Sequence, residues 1–352
     1  MKVKLNSSRA IGLDEEPYII SEIGSNHNGD MKIAKKLIEA SKDAGADCVK
    51  FQSWSKESIF SKKKYQDNFF LDDDYRKRED FTLEEIVEKY SISEEELAEM
   101  NDYSKKIGID FTSTPFSRKE VDFLVDSLDV PFIKIASMDL NNYPYLDYIA
   151  RKNKPMILST GLSTLSEIDK AVETIEDTGN SNLIILHCVA TYPPKDEDMN
   201  LRNINTLSKI YSYPIGFSDH SIGPCLSVAA VANNACVIEK HFTLDKNMEG
   251  WDHSISADPK DMKSLVIDSK RVFSALGKSK ISRTESKERV SEFRRSIVAS
   301  RDISSGEIFT EDMLDYKRPG IGLSPENNEV IVGSKATRNI SFDDIILLSD
   351  FK

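Results

Sequence analysis

Two histidines follow two short apolar stretches of the sequence, and their placement predicts a metal site. Residues 214–220 end in His220, and residues 236–243 contain His241 near their end. Both stretches have the β-branched and aromatic residues typical of buried strands. The segment between them, 222–234, is rich in alanine, valine and leucine, which predicts a helix and therefore a parallel βαβ unit. Its two imidazoles lie side by side at one sheet edge, where they suit Mn²⁺, Co²⁺, Zn²⁺ or Fe²⁺ better than Ca²⁺.

The other histidines are open to plainer interpretations. A single histidine in a strand is more often a hydrogen-bonded core residue than a ligand, so only the pairing at consecutive strand ends favours metal binding. His187 lies further inside its predicted strand, where packing is a sufficient role. His27 and His253 are expected in surface loops.

Two lysines within predicted strands, Lys50 and Lys134, are difficult to explain as core residues. Burying an unpaired ammonium group costs several kcal/mol. In one interpretation Glu22 or Glu239 neutralises them. In the other they form an anion cradle that binds a phosphate and a carboxylate together with small hydroxyl residues. The small hydroxyl residues proposed for this cradle are Thr114, Ser137, Ser159 and Ser218, near predicted strand ends.

Glu22, close to the end of the first predicted strand, is the candidate general base. Burial near a metal site would raise its pKa towards the range in which such a group exchanges protons. The alternative is a structural salt bridge between Glu22 and one of the two lysines.

Eight predicted strand–helix pairs of similar length position these residues. Eight such repeats close into a (β/α)₈ TIM barrel more readily than they form an open sheet. Polar residues at the carboxyl ends of barrel strands face the active site. The predicted strands are 18–24, 48–54, 110–116, 132–137, 155–160, 183–190, 214–220 and 236–243, and the predicted helices are 31–45, 94–107, 118–128, 143–152, 164–178, 201–211, 222–234 and 260–275.

The barrel is predicted to occupy residues 1–276, with 1–16 forming a hairpin that closes its floor. Residues 277–292 are basic and serine-rich and predict a linker. Residues 293–352 have short strands and frequent turns, which predicts a small β-rich domain near the lower size limit for independent stability. The charged insertion at 55–92, which includes an apolar run at 69–71, is either a solvated excursion with short helices or a loop that folds over the site.

Composition excludes several classes of function. The chain has 352 residues and a formal net charge of −12, so a broad nucleic-acid-binding face is not expected, and an anionic ligand needs a local basic pocket. The four cysteines lack metal-finger spacing and are expected to be reduced. No secretory signal and no run of membrane-spanning length is present, so we expect a cytoplasmic protein.

The motifs at residues 22–30, 45–52, 113–116, 158–161, 218–220 and 239–243 together resemble the sialic acid synthase family, which includes N-acetylneuraminate, legionaminate and pseudaminate synthases. The resemblance runs from about residue 18 to the C-terminus. It implies a TIM barrel followed by an antifreeze-like (SAF) domain, whose signature residues 317–322 match. It also implies a homodimer in which the two chains swap these domains.

The resemblance implies a role for each matching residue. His220 and His241 would bind Mn²⁺, with Mg²⁺ or Co²⁺ as alternatives, and Glu22 would be the catalytic carboxylate. Phosphoenolpyruvate would attack the aldehyde of an N-acetylated amino sugar through C3, giving a nine-carbon 2-keto acid and phosphate by C–O cleavage. Residues implied for phosphoenolpyruvate are Lys50, Thr114, Lys134, Ser137, Ser159 and Ser218; those for the sugar are Gln52, Tyr192, Glu239, Asp252 and, from the partner chain, Arg318.

Two positions depart from the family pattern. Ala190 stands where neuraminate-forming members tend to carry asparagine, and Trp251 adds a large aromatic face near the sugar site. The sugar therefore stays open between N-acetylmannosamine and a 2,4-diacetamido hexose. Two alternative functions also remain. A synthase acting on a phosphorylated aldose would need a second basic cluster, for which Arg118 and Arg202 are the nearest candidates. A non-catalytic sugar- or ice-binding protein would not need buried lysines around a metal.

Overall fold

The computed structural model describes residues 1–5, 9–70 and 81–352, which divide into two compact units, Met1–Gly277 and Lys278–Lys352. Two short antiparallel strands, β1 (Val3–Lys4) and β2 (Ala10–Ile11), begin the first unit. Eight parallel strands follow. They are β3 (Tyr18–Gly24), β4 (Cys48–Gln52), β5 (Asp110–Thr114), β6 (Ile133–Ile135), β7 (Met156–Ser159), β8 (Leu183–Cys188), β9 (Ile215–Asp219) and β10 (Val237–His241).

Helices alternate with these strands, as the sequence predicts. Those outside the insertion are α1 (Met31–Ala44), α5 (Glu94–Ile107), α6 (Arg118–Asp122), α7 (Tyr143–Ala150), α8 (Leu165–Glu176), α9 (Arg202–Ile210), α10 (Cys225–Ala232) and α11 (Pro259–Leu276). The insertion after β4 contains α2 (Lys56–Ile59), α3 (Lys62–Asp67) and α4 (Leu83–Tyr90). The predicted apolar run at 69–71 ends outside the described residues.

The eight strands form a TIM barrel, which confirms the predicted fold class. Neighbouring strands follow the order β5–β4–β3–β10–β9–β8–β7–β6. The two ends of this order are joined by a hydrogen bond of 2.8 Å from Thr112 Oγ1 on β5 to the carbonyl oxygen of Phe132, just before β6. The parallel arrangement brings all eight carboxyl ends to one face of the barrel, where catalytic groups of such folds lie.

The floor of the barrel is closed by the lead-in hairpin. Val3 and Ile11 are buried in one apolar cluster with Tyr18, Phe132 and Val237, which lie at the amino ends of the strands. This apolar plug leaves the opposite, carboxyl end as the open face.

Local sequence signals account for the helix boundaries. Ser93 Oγ accepts a hydrogen bond from the Glu96 N–H, and the Glu96 carboxylate accepts one from the Ser93 N–H, so the predicted capping box starts α5. Gly108, at φ 76°, ends the same helix in the left-handed region that favours glycine. The helix predicted at 118–128 differs, because after α6 it continues as a π-helical turn, Phe123–Ser127. Apolar periodicity does not distinguish these two backbone hydrogen-bonding patterns.

The second unit contains α12 (Lys287–Phe293), β11 (Ser296–Ala299), β12 (Leu314–Lys317) and α13 (Asn328–Ile331). The two strands pair antiparallel. Ile297, Phe309, Ile331 and Ile346 lie in its own apolar core. All of the helix α12 except its last residue, Phe293, lies in the stretch 277–292 predicted as a linker.

The cysteines and the apolar helices can be compared with what the composition predicts. All four cysteines are free, and only Cys225 among them is exposed. Within residues 1–5, 9–70 and 81–352, we find no helix with both the length and the apolar character needed to cross a lipid bilayer.

A candidate active site at the carboxyl ends of the barrel strands

A pocket of about 380 Å³ lies at the carboxyl ends of the barrel strands, within the size range of small-molecule sites. Every predicted site residue in the first unit lines it. Arg318 lies in the second unit, with its guanidinium 5.1 Å from the centre of the Phe293 ring, so its predicted action in a partner chain stays a prediction. The predicted residues that line the pocket are Glu22, Lys50, Gln52, Thr114, Lys134, Ser137, Ser159, Tyr192, Ser218, His220, Glu239, His241 and Asp252.

Strand register brings the charged residues together. Glu22 is the Cα partner of Lys50 on one side and of His241 on the other. Glu239 is the Cα partner of Ser218. Because side chains alternate between the two faces of a strand, residues two apart such as Glu239 and His241 both point into the barrel.

Lys50 and Lys134 are both buried and paired with carboxylates. Lys50 Nζ lies 2.6 Å from Glu22 Oε2 and 3.8 Å from Glu239 Oε2, and Lys134 Nζ lies 3.6 Å from Glu239 Oε1. The interpretation in which the glutamates neutralise the lysines is therefore correct for this structure. It does not exclude an anion cradle, since both ammonium groups line the pocket, and Lys50 also donates to Thr114 Oγ1 at 2.8 Å.

The pKa values of Glu22 and Glu239 shift in opposite directions. Burial raises the pKa of Glu22 to about 7; the Lys50 ammonium acts against this rise and the Glu239 carboxylate adds to it. Burial also acts to raise the pKa of Glu239, but the ammonium groups of Lys134 and Lys50 outweigh it and hold that pKa at about 2. Glu22 can therefore exchange a proton near neutral pH, while Glu239 stays ionised. Pairs of carboxyl groups whose pKa values differ this much are typical of acid–base sites.

The carboxylate of Glu22 is oriented by a short chain of hydrogen bonds. Gln52 Nε2 donates to Glu22 Oε1 at 2.8 Å, and Trp54 Nε1 donates to Gln52 Oε1 at 2.9 Å. Both ends of the Gln52 amide are thus bonded within the protein. Gln52 therefore positions Glu22, and because it also lines the pocket, its predicted contact with the sugar stays a prediction. Trp54 was not among the predicted site residues. Its position could have indicated a role, because residues two apart in a strand, such as Gln52 and Trp54 of the predicted strand 48–54, point to the same face.

The hydroxyl residues differ in their hydrogen bonding. Ser218 Oγ donates to Glu239 Oε1 at 2.9 Å, and Ser137 Oγ accepts from the Gly161 N–H at 3.0 Å. Ser159 Oγ is buried and has no hydrogen-bond partner within the described part of the chain. Buried polar atoms are normally satisfied, so an unsatisfied hydroxyl lining a pocket indicates a place for a ligand atom.

The two predicted metal ligands lie next to each other. The ring centres of His220 and His241 are 5.4 Å apart. His220 Nδ1 lies 2.9 Å from the Val189 carbonyl oxygen, so Nδ1 carries the proton and Nε2 keeps its lone pair when the ring is neutral. Burial lowers the pKa of His241 well below its usual range, and the neighbouring His220 adds to this effect. Burial acts in the same sense on His220, but Cys188 and the Val189 carbonyl raise its pKa.

These imidazoles fit a divalent cation with a partly open coordination sphere. His241 Nδ1 is buried and has no hydrogen-bond partner among the described residues. Nowhere in the described ranges do three or more His, Cys, Asp or Glu side chains gather around a possible ion position. A cation held there would have His220 and His241 as its nitrogen ligands, with its other positions open to oxygen donors.

One side of the pocket is an apolar cluster, which we call the apolar wall. It joins the insertion to the loop after β10: the Trp54 and Trp251 ring centres are 5.5 Å apart, and Tyr90 on α4 stacks on Trp251 at 5.6 Å. The described part of the insertion therefore folds over the site. Ala190 also lines the pocket and offers no side-chain hydrogen bond. The wall residues that line the pocket are Trp54, Ile59, Phe60, Val87, Phe116 and Trp251.

The remaining histidines lie outside the pocket lining. His187 Nε2 lies 2.7 Å from the Met199 carbonyl oxygen, which agrees with a packing role. The expectation that His27 and His253 are surface residues is wrong, since their exposures are 0% and 1%. The loops carrying them pack on the barrel top, where Asn26 Nδ2 donates to the Phe242 carbonyl at 2.8 Å. Loop packing of this kind leaves no periodic signal in the sequence.

The chain matches known families and proteins along most of its length. The NeuB family matches residues 37–281, and the SAF domain matches residues 294–352. The N,N'-diacetyllegionaminic acid synthase of Campylobacter jejuni is 40% identical over 336 residues, which cover 94% of this chain and 99% of that protein. The human N-acetylneuraminate-9-phosphate synthase is 35% identical over 351 residues, covering 99% and 96%.

A solved structure supports the same comparison. The N-acetylneuraminic acid (sialic acid) synthetase of Leptospira borgpetersenii, crystallised with citrate, superposes with a TM-score of 0.73 at 33% sequence identity. The alignment covers 82% of this chain and 94% of that one.

Proposed function

The chain belongs to the NeuB family and ends in a SAF domain, and from this premise we propose that it condenses phosphoenolpyruvate with an N-acylated amino sugar. The family assignment confirms the resemblance seen in the sequence. Relatives named as legionaminic acid and N-acetylneuraminate-9-phosphate synthases support a synthase of nonulosonic (sialic) acids. The substrates and the chemistry are the part that we propose.

One observation carries the proposal: a single pocket joins two buried ammonium groups to two carboxyl groups whose pKa values lie near 7 and near 2. Phosphoenolpyruvate has two anionic groups, a carboxylate and a phosphate. Lys50 and Lys134 provide the positive charge for them, and the unsatisfied hydroxyl of Ser159 provides a neutral donor. Thr114, Ser137 and Ser218 lie within the same lining and would complete the cradle.

The proposed reaction proceeds in two bond-forming steps. C3 of phosphoenolpyruvate attacks the aldehyde carbon of the open-chain sugar, and C2 becomes cationic as its electrons form the new C–C bond. Water adds to C2 and gives up one proton, and one proton is taken up by the former aldehyde oxygen. The bond between C2 and the bridging phosphate oxygen then breaks as the C2 hydroxyl loses its proton, so that phosphate leaves and a 2-keto acid remains. Holding both reactants in one pocket supplies the orientation that this bimolecular step requires.

Glu22 and Glu239 would have different roles. Glu22 has a pKa near neutrality, and its ionised carboxylate can take a proton from the attacking water. Glu239 stays ionised between the two ammonium groups and lies where it can offset positive charge that develops on C2. The Gln52–Trp54 hydrogen bonds hold the Glu22 carboxylate in one orientation during this transfer.

His220 and His241 would hold a divalent cation, for which we propose Mn²⁺. When bound, such a cation polarises the aldehyde oxygen of the sugar as a Lewis acid. Tyr192, whose ring centre lies 4.2 Å from that of His220, packs beside this position and limits where the aldehyde can lie. Asp252, with Oδ2 3.7 Å from His241 Nδ1, is placed to accept a hydrogen bond from a sugar hydroxyl nearby.

The apolar wall favours an acceptor without a phosphate group. Lys50 and Lys134 are the only lysine or arginine side chains in the described lining, and both lie in the anion cradle. Neither Arg118 nor Arg202 is part of that lining; the Arg118 guanidinium lies 4.9 Å from the Tyr148 ring centre. A 2,4-diacetamido hexose would place acyl methyl groups against the aromatic rings, so we propose it ahead of N-acetylmannosamine.

The reaction is tested by phosphate release from phosphoenolpyruvate, with product mass spectrometry, across a panel of acceptors. The panel holds 2,4-diacetamido-mannose, 2,4-diacetamido-altrose, N-acetylmannosamine, N-acetylmannosamine 6-phosphate and arabinose 5-phosphate. We expect release to require both an N-acylated sugar and Mn²⁺. Release with arabinose 5-phosphate alone would favour the phosphorylated-aldose synthase, and binding without turnover would favour a non-catalytic sugar-binding protein.

We also propose a homodimer in which each SAF domain serves the partner's barrel, with Arg318 reaching the sugar. Mixing two variants that are each expected to lose most activity, Glu22→Gln and Arg318→Ala, tests this arrangement. In a swapped dimer of the two variants, one site carries both changes and the other carries neither, so activity should return on mixing. Activity that stays absent although mixed dimers form would contradict the swap.

A further inference from the structure

Asp219 and Lys240 form a buried ion pair that has no part in the proposed chemistry. Lys240 Nζ lies 2.9 Å from Asp219 Oδ2, and both side chains have an exposure of 0%. The two residues are Cα partners on β9 and β10. Since strand side chains alternate, they point away from the barrel interior, while their neighbours Ser218 and Glu239 line the pocket.

Both members of the pair also hold Ser221, the residue after His220. The Ser221 N–H donates to Asp219 Oδ1 at 2.8 Å, and Lys240 Nζ donates to the Ser221 carbonyl oxygen. The hydroxyl of Ser227 on α10 donates to Asp219 Oδ2. The backbone on both sides of His220 is therefore fixed by one buried network.

The network reaches the second imidazole as well, because Lys240 immediately precedes His241. One ion pair thus connects the two backbone segments that carry the candidate ligands, whose ring centres are 5.4 Å apart. Stability alone is a weak explanation for such a pair, since replacing a buried ion pair by neutral groups of similar size is often neutral or stabilising. Its effect on the geometry of the neighbouring residues is the stronger explanation.

We infer that Asp219 and Lys240 are positioning residues that fix the separation of His220 and His241 for a shared cation. The inference rests on the proposed metal role of the two imidazoles. Neither residue lines the pocket, so neither is expected to touch substrate. They act through the backbone of residues 219–221 and 240–241, as outer-shell groups do in other metal sites.

The test is the affinity for Mn²⁺ alone, measured on the full chain through the electron paramagnetic resonance signal of free Mn²⁺. The double variant Asp219→Asn/Lys240→Met removes both charges together, so that no unpaired charge is buried, and the introduced amide oxygen still accepts from the Ser221 N–H. We expect Mn²⁺ binding to weaken about ten- to a hundredfold, the usual effect of changing outer-shell groups. The visible absorption of bound Co²⁺ should change in the same variant, because it reports ligand geometry.

Tyr18→Phe is the matched control for loss of a buried hydrogen bond. Tyr18 OH donates to Asp110 Oδ2 at 2.7 Å at the opposite, amino end of the strands. This variant should lower the melting temperature but leave Mn²⁺ affinity unchanged. Circular dichroism and thermal unfolding of each variant separate a folded protein with a weakened site from an unfolded one.

The outcomes separate the inference from the proposed function. A folded Asp219→Asn/Lys240→Met protein that binds Mn²⁺ like wild type overturns the positioning role, even when His220→Ala/His241→Ala abolishes binding and so supports the metal role. Binding that survives His220→Ala/His241→Ala overturns both. If the double variant does not fold, Ser227→Ala removes one donor to Asp219 Oδ2 and should weaken binding about threefold; unchanged binding there overturns the inference.

Discussion

Replacing Glu22 by glutamine tests the acid–base assignment most sharply. Glutamine keeps the size of the side chain and can still pair with Gln52 after a rotation of the amides, but it cannot take a proton. The rise of the Glu22 pKa from 4.5 to about 7 corresponds to about 3 kcal/mol in favour of the neutral form. Loss of a general base typically costs about 10²- to 10⁴-fold in rate, and we expect kcat to fall within that range.

The pH dependence of kcat/KM is an independent test of Glu22 as the general base, because the direction of the change is predicted. Glu22 must be ionised to take a proton, so kcat/KM of the wild type should rise with pH up to about 7 and fall about tenfold per pH unit below it. The assay is phosphate release with saturating Mn²⁺ from about pH 5.5 to 9. The residual activity of Glu22→Gln should lack this acid limb.

Protein stability provides a readout that needs no substrate. Because the folded-state pKa of Glu22 is raised, its neutral form favours folding below pH 4.5, and this contribution is lost as pH rises to about 7. The difference in unfolding free energy between wild type and Glu22→Gln should therefore change across that window. A wild-type kcat/KM profile that stays flat to pH 5.5 would refute the assignment. An acid limb in kcat/KM that persists unchanged in Glu22→Gln would also refute it and would point to the imidazoles instead.

Three further substitutions follow from the same structure. Lys134→Met removes one of two cradle charges and should raise the KM for phosphoenolpyruvate more than about tenfold while changing the acceptor KM little; equal effects on both would contradict the cradle. Trp251→Ala should raise the acceptor KM in steady-state kinetics and change the KM for phosphoenolpyruvate little, because Trp251 belongs to the apolar wall. An unchanged acceptor KM would show that the apolar wall does not contact the acceptor. Leu146→Ala, in the barrel core with an exposure of 0%, should lower the unfolding free energy by about 2–5 kcal/mol in denaturant titrations, with kcat per folded molecule retained; a change under about 1 kcal/mol would contradict tight packing at this position.

The barrel and most of the pocket could be predicted because they depend on local periodicity. Tyr18–Gly24 and Glu94–Ile107 have their predicted bounds, the first from its apolar run and the second from its capping box and final glycine. Once eight strands are assigned, the carboxyl-end rule indicates Glu22, Lys50, Lys134, His220 and His241 as pocket residues. Tyr192 and Asp252 came from the family resemblance instead. The sequence therefore identified which residues meet, though not how they pair.

The pairings depend on tertiary contacts that leave no local pattern. The hydrogen bonds that link Trp54, Gln52 and Glu22 are an example, because they depend on side-chain orientation and not on sequence spacing. The burial of His27 and His253 depends on loops packing against the barrel top. Asp219 stands at a predicted strand end beside Ser218 and His220, but its side chain pairs with Lys240 outside the pocket, and its position in the sequence does not show this direction.

The central claim is that one pocket joins phosphoenolpyruvate to an N-acylated sugar with cleavage of the C–O bond. Phosphoenolpyruvate labelled with ¹⁸O at its bridging oxygen tests this claim most directly, with mass spectrometry of both products. We predict an organic acid that is three carbons longer than the sugar, with the label in the released phosphate. Label retained in the organic product, or pyruvate formed with no longer acid, would contradict the account.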